Sequence, residues 1–459
     1  MNRTIIGEGA YGCVHKPSIQ CKTPPSPRFN YTNYVSKIMT TKNAKKELAE
    51  FLIIKNIDPT NEYHLGSPIL CRPNIDNKNV TTAIDKCKYI KLNDVQANPD
   101  SYSLLVLKFG GLDFKALCNT YLLKYLKTNT QKRTDNFWLE VHHLIKGIKF
   151  FKDNGIVHND IKPQNILFNS KGKMKYIDFG LMRTKKDIIN LSKSNDNFLG
   201  TFHWSYPFDC GFMEKTQYDK YKHLNVSDKT LFKNELSKLI VSNSKITNSQ
   251  INVFKLRIHN PSSFKILFTY LNSNNTIPNA STQYGYINSF FNGFNDMINN
   301  KSYNDVLNYI VDSIDVFGLG FTLQFMANCF KRLNALSLQD FTRLSTFFYK
   351  MHDFNPLTRV IDIDLLLNEY ENILLELGIL MRLKKSFKNH ILVNKLVVPS
   401  IIIKSDDKSK SIPQYLSQEL QEFANKDPVI RKKFSKLNKS VKNRGYKTKK
   451  TKKKTGKIY

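Results

Sequence analysis

The chain has 459 residues, 41% of them hydrophobic and 12% aromatic, so most of it should fold, with room for two or three domains. No run of eighteen apolar residues is present and Met1-Asn2-Arg3-Thr4-Ile5-Ile6-Gly7 does not read as a signal peptide, so an intracellular protein with no membrane contact is expected. The net charge of +32 is partly terminal: residues 431–459 hold 14 of the 70 Lys+Arg and no Asp or Glu, and without them it falls to +18.

In chain order, Thr4-Ile5-Ile6 opens a strand that runs into a Gly-rich turn, Gly7-Glu8-Gly9-Ala10-Tyr11-Gly12, and out through Cys13-Val14. Lys22 to Pro27 is Pro-rich and reads as loop. Tyr34 to Met39 reads as the next strand. Ala44 to Ile57 has apolar residues at Leu48, Phe51, Leu52, Ile54 and Ile57, a helical spacing, and stops before Asp58-Pro59. Ser103 to Leu107 is a short apolar strand ending near Gly110-Gly111, and a helix from about Asn136 to Lys152 is closed by Asp153-Asn154-Gly155. Residues 210–310 carry no motif; Leu231 to Ile240 and Phe264 to Leu271 read as helical, joined by Ser/Asn-rich stretches. Ile314 starts a very apolar helix reaching about Phe330, which should be buried. Helices fill roughly 337–388. An apolar patch, Ile391 to Ile403, and a polar stretch then precede the basic tail, which is read as disordered and as a candidate for weak polyanion or nucleic-acid contact. The seven cysteines (Cys13, Cys21, Cys71, Cys87, Cys118, Cys210, Cys329) are odd in number and scattered, which favours reduced thiols. A zinc site from Cys21, Cys71 and Cys87 has no CxxC pair behind it.

One segment concentrates chemistry: His158-Asn159-Asp160-Ile161-Lys162-Pro163-Gln164-Asn165, then Asp178-Phe179-Gly180. Asp160 is placed to accept a hydroxyl proton and Lys162 to neutralise charge on a transferred phosphoryl group. Asn165 and Asp178 offer hard oxygen ligands suited to Mg²⁺. Gly7-x-Gly9-x-x-Gly12-x-Val14 lies on strand–turn–strand, where backbone N–H groups can approach phosphates without Cβ clashes. Lys37 ends a strand pattern, and the following helix offers Glu47 and Glu50 as carboxylate partners.

These motifs, in this order, resemble the eukaryotic-type Ser/Thr protein kinases, with H-R-D-x-x-x-x-N and D-F-G nearly intact and Asn159 in place of the Arg. The resemblance covers about residues 4 to 388. It implies an α+β, bilobal protein-kinase fold: a small β-rich N-lobe (about 1–107) with one main helix, a hinge (about 108–113), and a larger, mostly helical C-lobe (about 114–388). About a hundred residues separate the activation segment from Asp315, so 210–310 reads as a long C-lobe insertion, followed by an extension (389–430) and the tail (431–459). The resemblance implies ATP and Mg²⁺ as cofactors and a protein substrate. It makes Asp160 and Lys162 catalytic, Asn165 and Asp178 metal ligands, and an ATP site from Ile6, Gly7, Gly9, Gly12, Val14, Lys37, Glu50, Lys108, Gly110, Asp113 and Leu167. Glu50, seven residues before Ile57, is the expected Lys37 partner, Leu107 the residue flanking the adenine pocket, and Asp113 a group for the ribose. Gly200-Thr201-x-x-x-x-Tyr206-Pro207 resembles the end of an activation segment, with Thr201 against the catalytic Asp. The usual Ala-Pro-Glu carboxylate is missing; Arg359 is the Arg it would pair, Asp209 a candidate substitute, and Asp315 with Gly320 the helix anchor of the catalytic loop. The Tyr11-Gly12-Cys13-Val14-His15-Lys16-Pro17 phrase resembles the divergent kinases of large DNA viruses.

Three alternatives are weighed against a Ser/Thr protein kinase. His-Asn-Asp also occurs in small-molecule kinases of the choline or aminoglycoside kind, but Lys162, Asp178-Phe179-Gly180 and the Gly-Thr segment look like protein kinases. A pseudokinase scaffold is disfavoured because every residue needed for transfer is present. A nucleic-acid-binding protein rests on the tail alone. Asn159 cannot receive an activation-loop phosphate as Arg does, so activity independent of phosphorylation at Thr184, Ser192 or Ser194 is expected.

Overall fold

The computed structural model describes residues 3–9, 12–26, 29–197, 199–242, 257, 258, 260–272, 274 and 278–386. The apolar patch at 391–403, the extension at 389–430 and the tail lie outside these residues.

The N-terminal part is built on a five-stranded antiparallel sheet. Its strands are β1 (Thr4–Gly9), β2 (Gly12–Lys16), β3 (Tyr34–Thr40), β4 (Ile69–Cys71) and β5 (Tyr102–Lys108), in the spatial order β1-β2-β3-β5-β4. The central pair β3–β5 runs in register from Tyr34 opposite Lys108 to Thr40 opposite Tyr102. Successive residues alternate between two buried faces: Ile38, Leu104 and Val106 lie in one core, Met39 and Leu105 in another with Ala44 of the following helix. Thr40 caps α1 (Thr41–Ile57) by accepting from the Asn43 N–H. The buried face of α1 carries Ala44, Glu47, Glu50, Phe51 and Ile54, so two carboxylates sit on an inward stripe.

Between β4 and β5 lie two short helices that the sequence reading left out, α2 (Lys78–Asp85) and α3 (Leu92–Ala97). Val80, Ala83, Ile84 and Val95 pack into one core with Cys13, Ile19, Ile38 and Val106. Here the expectation of reduced cysteines is overturned. Cys13 of β2 is disulfide-bonded to Cys87 beyond α2, and Cys21 to Cys71 of β4, which also ends the zinc reading. The cause is tertiary: the sheet and its helical cap bring together cysteines that lie 74 and 50 residues apart in sequence.

The remainder is mostly helical. Its small strands are β6 (Leu112–Asp113), β7 (Ile156–Val157), β8 (Ile166–Phe168), β9 (Met174–Tyr176) and β10 (Arg183–Thr184). Its longer helices are α4 (Thr130–Asp153), α5 (Lys185–Lys193), α6 (Lys215–Lys222), α7 (Val226–Ser242), α8 (Phe264–Leu271), α9 (Ala280–Asn300), α10 (Tyr303–Arg332), α11 (Leu338–His352), α12 (Ile363–Glu376) and α13 (Ile379–Ser386). The apolar helix expected from Ile314 begins eleven residues earlier, at Tyr303. It is the core of this part, with every residue from Ser313 to Phe330 buried. A helix apolar on all sides must be enclosed by protein, and α4 and α11 supply part of that enclosure: Phe330 packs on Phe137 and Trp138, and Trp138 stacks on Phe348. The expected α+β, two-lobed architecture is therefore present. The chain divides between Leu366 and Leu367; of the second unit the structure describes Leu367–Ser386, the end of α12 and α13.

Candidate active site

The catalytic segment is seated by backbone contacts. The carboxylate of Asp315 on α10 accepts from the His158 N–H (2.8 Å) and the Asn159 N–H (3.0 Å). Burial pushes the Asp315 carboxyl up to about 7 against those two donors. One turn on, Gly318 lies against the Ile161 carbonyl, where a Cβ would stand 2.6 Å from the oxygen. The expected anchor role of Asp315 matches this geometry; Gly320 packs instead against Met351 and His352 of α11.

Within the loop, Lys162 Nζ donates to both Asp160 oxygens at 2.7 Å. Asn165 Nδ2 donates to the Asp160 carbonyl and to its Oδ2, each at 2.8 Å. Burial raises the Asp160 carboxyl to about 6 even though Lys162 opposes the shift. Because Asn165 spends its amide nitrogen on Asp160, its Oδ1 is left as an oxygen donor. His158 is buried and pulled down to about 4, so it is neutral; Nδ1 accepts from the Asp160 N–H and Nε2 faces the Ile177 carbonyl. Asn159 takes a left-handed conformation (φ 63°) and points its amide inward, where Nδ2 donates to the carbonyls of Val157 (3.3 Å) and Leu181 (3.0 Å). It stitches the catalytic loop to the turn after Asp178-Phe179-Gly180.

Asp178 is also left-handed (φ 61°) and lies 3.7 Å from Lys37 Nζ. The Phe179 ring fixes this turn, packed against His158 (4.7 Å between centroids), Phe51 (6.0 Å) and His64 (6.3 Å). Lys37 pulls the Asp178 carboxyl below its usual range against burial. Burial would lower Lys37, but Asp178 and Glu47 outweigh it and hold the ammonium above its usual value. The helix partner expected was Glu50; the structure corrects this to Glu47, whose Oε2 is 2.7 Å from Lys37 Nζ. Glu50 is one turn further along the same buried stripe. It stands 3.9 Å from Arg183, both carboxylate oxygens lack a hydrogen-bond partner, and burial raises it to about 7.

The strands of the Gly-rich hairpin place Val14 opposite Lys37 and Gly9 opposite Gly12. Gly12 has a positive φ, and a Cβ there would strike the Ile38 carbonyl. Gly7 meets only the Val14 side chain, at 3.7 Å, and Ile6 is exposed. At the other side, Lys108 ends β5. The Phe109 N–H, between the expected contacts Lys108 and Gly110, is committed to the Asn33 carbonyl at 2.9 Å. Gly110 is wedged between Leu65 and Leu167, with no room for a Cβ. Leu167 faces Asp113 across the β6–β8 pair. Asp113 Oδ1 caps the next helical turn by accepting from Ala116 N–H, so one oxygen of the expected ribose group is already engaged. The strands β3 and β5, α1 and the β8–β9 hairpin thus bring Lys37, Glu47, Asp160, Lys162, Asn165 and Asp178 to one place.

Beyond these, one expected pairing is present and one helix was not foreseen. Arg359 is wholly buried and donates to both oxygens of equally buried Asp209 (2.9 and 3.3 Å) and to Ser313 Oγ (3.2 Å), so Asp209 takes the place of the absent Ala-Pro-Glu carboxylate. Residues 185–193 of the expected activation loop form α5. Thr184 caps it, and Ser192 is buried, bonded to the Ile188 carbonyl and to Asn197.

Residues 2–220 match the family model for the protein kinase domain. A protein named as a serine/threonine-protein kinase/receptor in Acanthamoeba polyphaga mimivirus is 45% identical over 62 residues, 14% of this chain and 4% of that protein. A cell division protein kinase of Encephalitozoon cuniculi is 39% identical over 82 residues, 18% of this chain and 28% of that one. Mitogen-activated protein kinase 9 of Arabidopsis thaliana is 36% identical over 95 residues, 21% of this chain and 19% of that protein. The chain thus spans well under a third of the length of each of these curated relatives. Over residues 2–220, just under half of the chain, the sequence is similar to the protein kinase domain.

Proposed function

We propose that this chain is a serine/threonine protein kinase that transfers the γ-phosphate of ATP to a protein hydroxyl. The observation that carries the reading is the Asp160 carboxylate, raised toward neutrality by burial and held by Lys162 and Asn165. A base is most useful when its pKa lies near the working pH. Asp160 accepts the proton of the substrate Ser or Thr as its oxygen attacks. Lys162 lies beside it to offset charge on the phosphoryl group in transit, and Lys37, oriented by Glu47, faces the phosphates from the sheet. The Asn165 Oδ1 and the Asp178 carboxylate, kept ionised by Lys37, fit Mg²⁺, which when bound neutralises the β- and γ-phosphate oxygens.

The small-molecule alternative rested on Asn159. The inward amide of that residue has a use in the loop's own bonding, so it no longer favours choline-like substrates. The boundaries 1–388, 389–430 and 431–459, and polyanion contact through the tail, remain parts of this reading. The test is phosphate transfer from labelled Mg·ATP to a generic basic protein and to choline, with Asp160→Asn and Lys37→Ala alongside. Transfer to protein, lost in both variants, is the expected result. Transfer that survives both, or goes only to choline, overturns the proposal.

A further inference from the structure

The kinase reading leaves the 210–310 insertion without a task, yet Arg257 and Ile258 within it pair with the main chain of the activation segment. The Phe202 N–H donates to the Arg257 carbonyl at 2.8 Å, and the Thr201 hydroxyl donates to the same oxygen. Ile258 forms a parallel bridge with Phe202. Thr201, expected against Asp160, is thus bonded to the insertion. The Arg257 guanidinium reaches in the other direction. Its Nη1 donates to Glu214 Oε1 at 2.6 Å and to the Asn197 carbonyl at 3.4 Å, while that Glu214 oxygen also accepts the Asn197 N–H at 3.1 Å. The Glu214 side chain is 2% exposed and that of Arg257 48%, so the pair is a buried carboxylate capped from outside by a cation. Main chain and side chain of one residue therefore tie both ends of 197–202.

The usual means of ordering such a segment is a phosphate received by a cationic side chain. The receiving side of that arrangement is missing here: Asn159 occupies the receiving position with its amide turned inward, while Ser192 is buried in α5 and Thr184 caps it, leaving Ser194 as the exposed serine of the segment. We infer that Arg257 is a positioning residue: it holds residues 197–202 in the substrate-ready form from within the chain, so that no phosphate is required. Resting on the proposed kinase activity, this gives the insertion a role in binding the protein substrate and none in binding ATP.

The test uses the full chain. The wild type, dephosphorylated by phosphatase, is expected to keep its activity. Arg257→Met is expected to raise the KM for protein substrate about tenfold, leave the KM for ATP unchanged, and speed hydrogen exchange at the Asn197 and Phe202 amides. Arg257→Lys keeps a cation beside Glu214 but loses the planar guanidinium that places one nitrogen on both Glu214 and Asn197, so an intermediate KM is expected. It carries the same test should the Met variant not fold. Loss of activity on phosphatase treatment would show that a phosphate orders the segment. A rise in activity in Arg257→Met would make the insertion an inhibitory strand. Unchanged KM and exchange in both variants would leave Arg257 a surface cation; each of these overturns the inference. Hydrogen exchange reads the clamp without any catalysis, and absent transfer by the wild type would strike the kinase reading alone.

Discussion

The Lys37 partner offers the sharpest check, because two glutamates three residues apart compete for one role. Glu47→Gln removes the carboxylate 2.7 Å from Lys37 Nζ but keeps the shape. A charge-assisted hydrogen bond of this kind contributes about 1.5–3 kcal/mol. Both side chains retain some solvent contact, at 21% and 11% exposure, and Lys37 keeps Asp178 at 3.7 Å, so the lower end applies. At 1.4 kcal/mol per decade, about 1.5–2 kcal/mol corresponds to a fall of about 10- to 30-fold in kcat/KM for ATP. Glu50→Gln removes a carboxylate that burial has already raised to about 7 and whose oxygens have no hydrogen-bond partner, so kcat/KM should stay within about twofold of wild type. Steady-state kinetics with varied Mg·ATP at pH 8 measure both. The reasoning fails if Glu50→Gln loses as much as Glu47→Gln, or if Glu47→Gln behaves as wild type.

The acidic limb of the pH–rate profile should follow Asp160: its folded pKa is raised, so the charged, proton-accepting form is lost as pH falls through about 6, and a profile flat from pH 7 to 4.5 would exclude it as the base. Asp209→Asn should destabilise the fold by about 3 kcal/mol in urea unfolding, since it leaves Arg359 buried and unpaired; a change below about 1 kcal/mol would mean that the guanidinium finds water or another acceptor. Alkylation of the denatured, unreduced chain should label three of its seven cysteines, with all seven labelled after reduction; seven labelled beforehand would refute the Cys13–Cys87 and Cys21–Cys71 bridges. Cys87→Ser should cost about 2–4 kcal/mol of stability, the typical range for a disulfide.

Much of the site was legible because its chemistry is packed into adjacent residues. Asp160, Lys162 and Asn165 lie within six positions, and a short run of types with fixed spacing can be read without knowing the fold. Asp315 was legible for a different reason, through the resemblance, which makes it the anchor of the catalytic loop, and it proves buried on α10. The choice between Glu47 and Glu50 was not, because both fall on the inward stripe of α1 and only the register of β3 against that helix decides. The disulfides depend on contacts 50 and 74 residues apart, which no local pattern encodes. Arg257 sits in a stretch with no periodicity or motif, and its role comes from where the chain returns. The helix within the activation segment, α5, was hidden because its residues were read through the resemblance as loop, although Thr184 with Asp187 is a serviceable cap.

The grip of α10 on the catalytic loop falls on the main chain: Asp315 takes two N–H groups, and the bare Cα of Gly318 admits a carbonyl. A seat defined by peptide groups is indifferent to the letters it carries. The loop can therefore be re-lettered where chemistry allows, and Asn159 is such a change, made without unseating Asp160. By the same logic the vulnerable position is on the helix rather than in the loop. A single methyl at 318 would lift the whole loop by its backbone, displacing base, cation and metal ligand together while altering none of them.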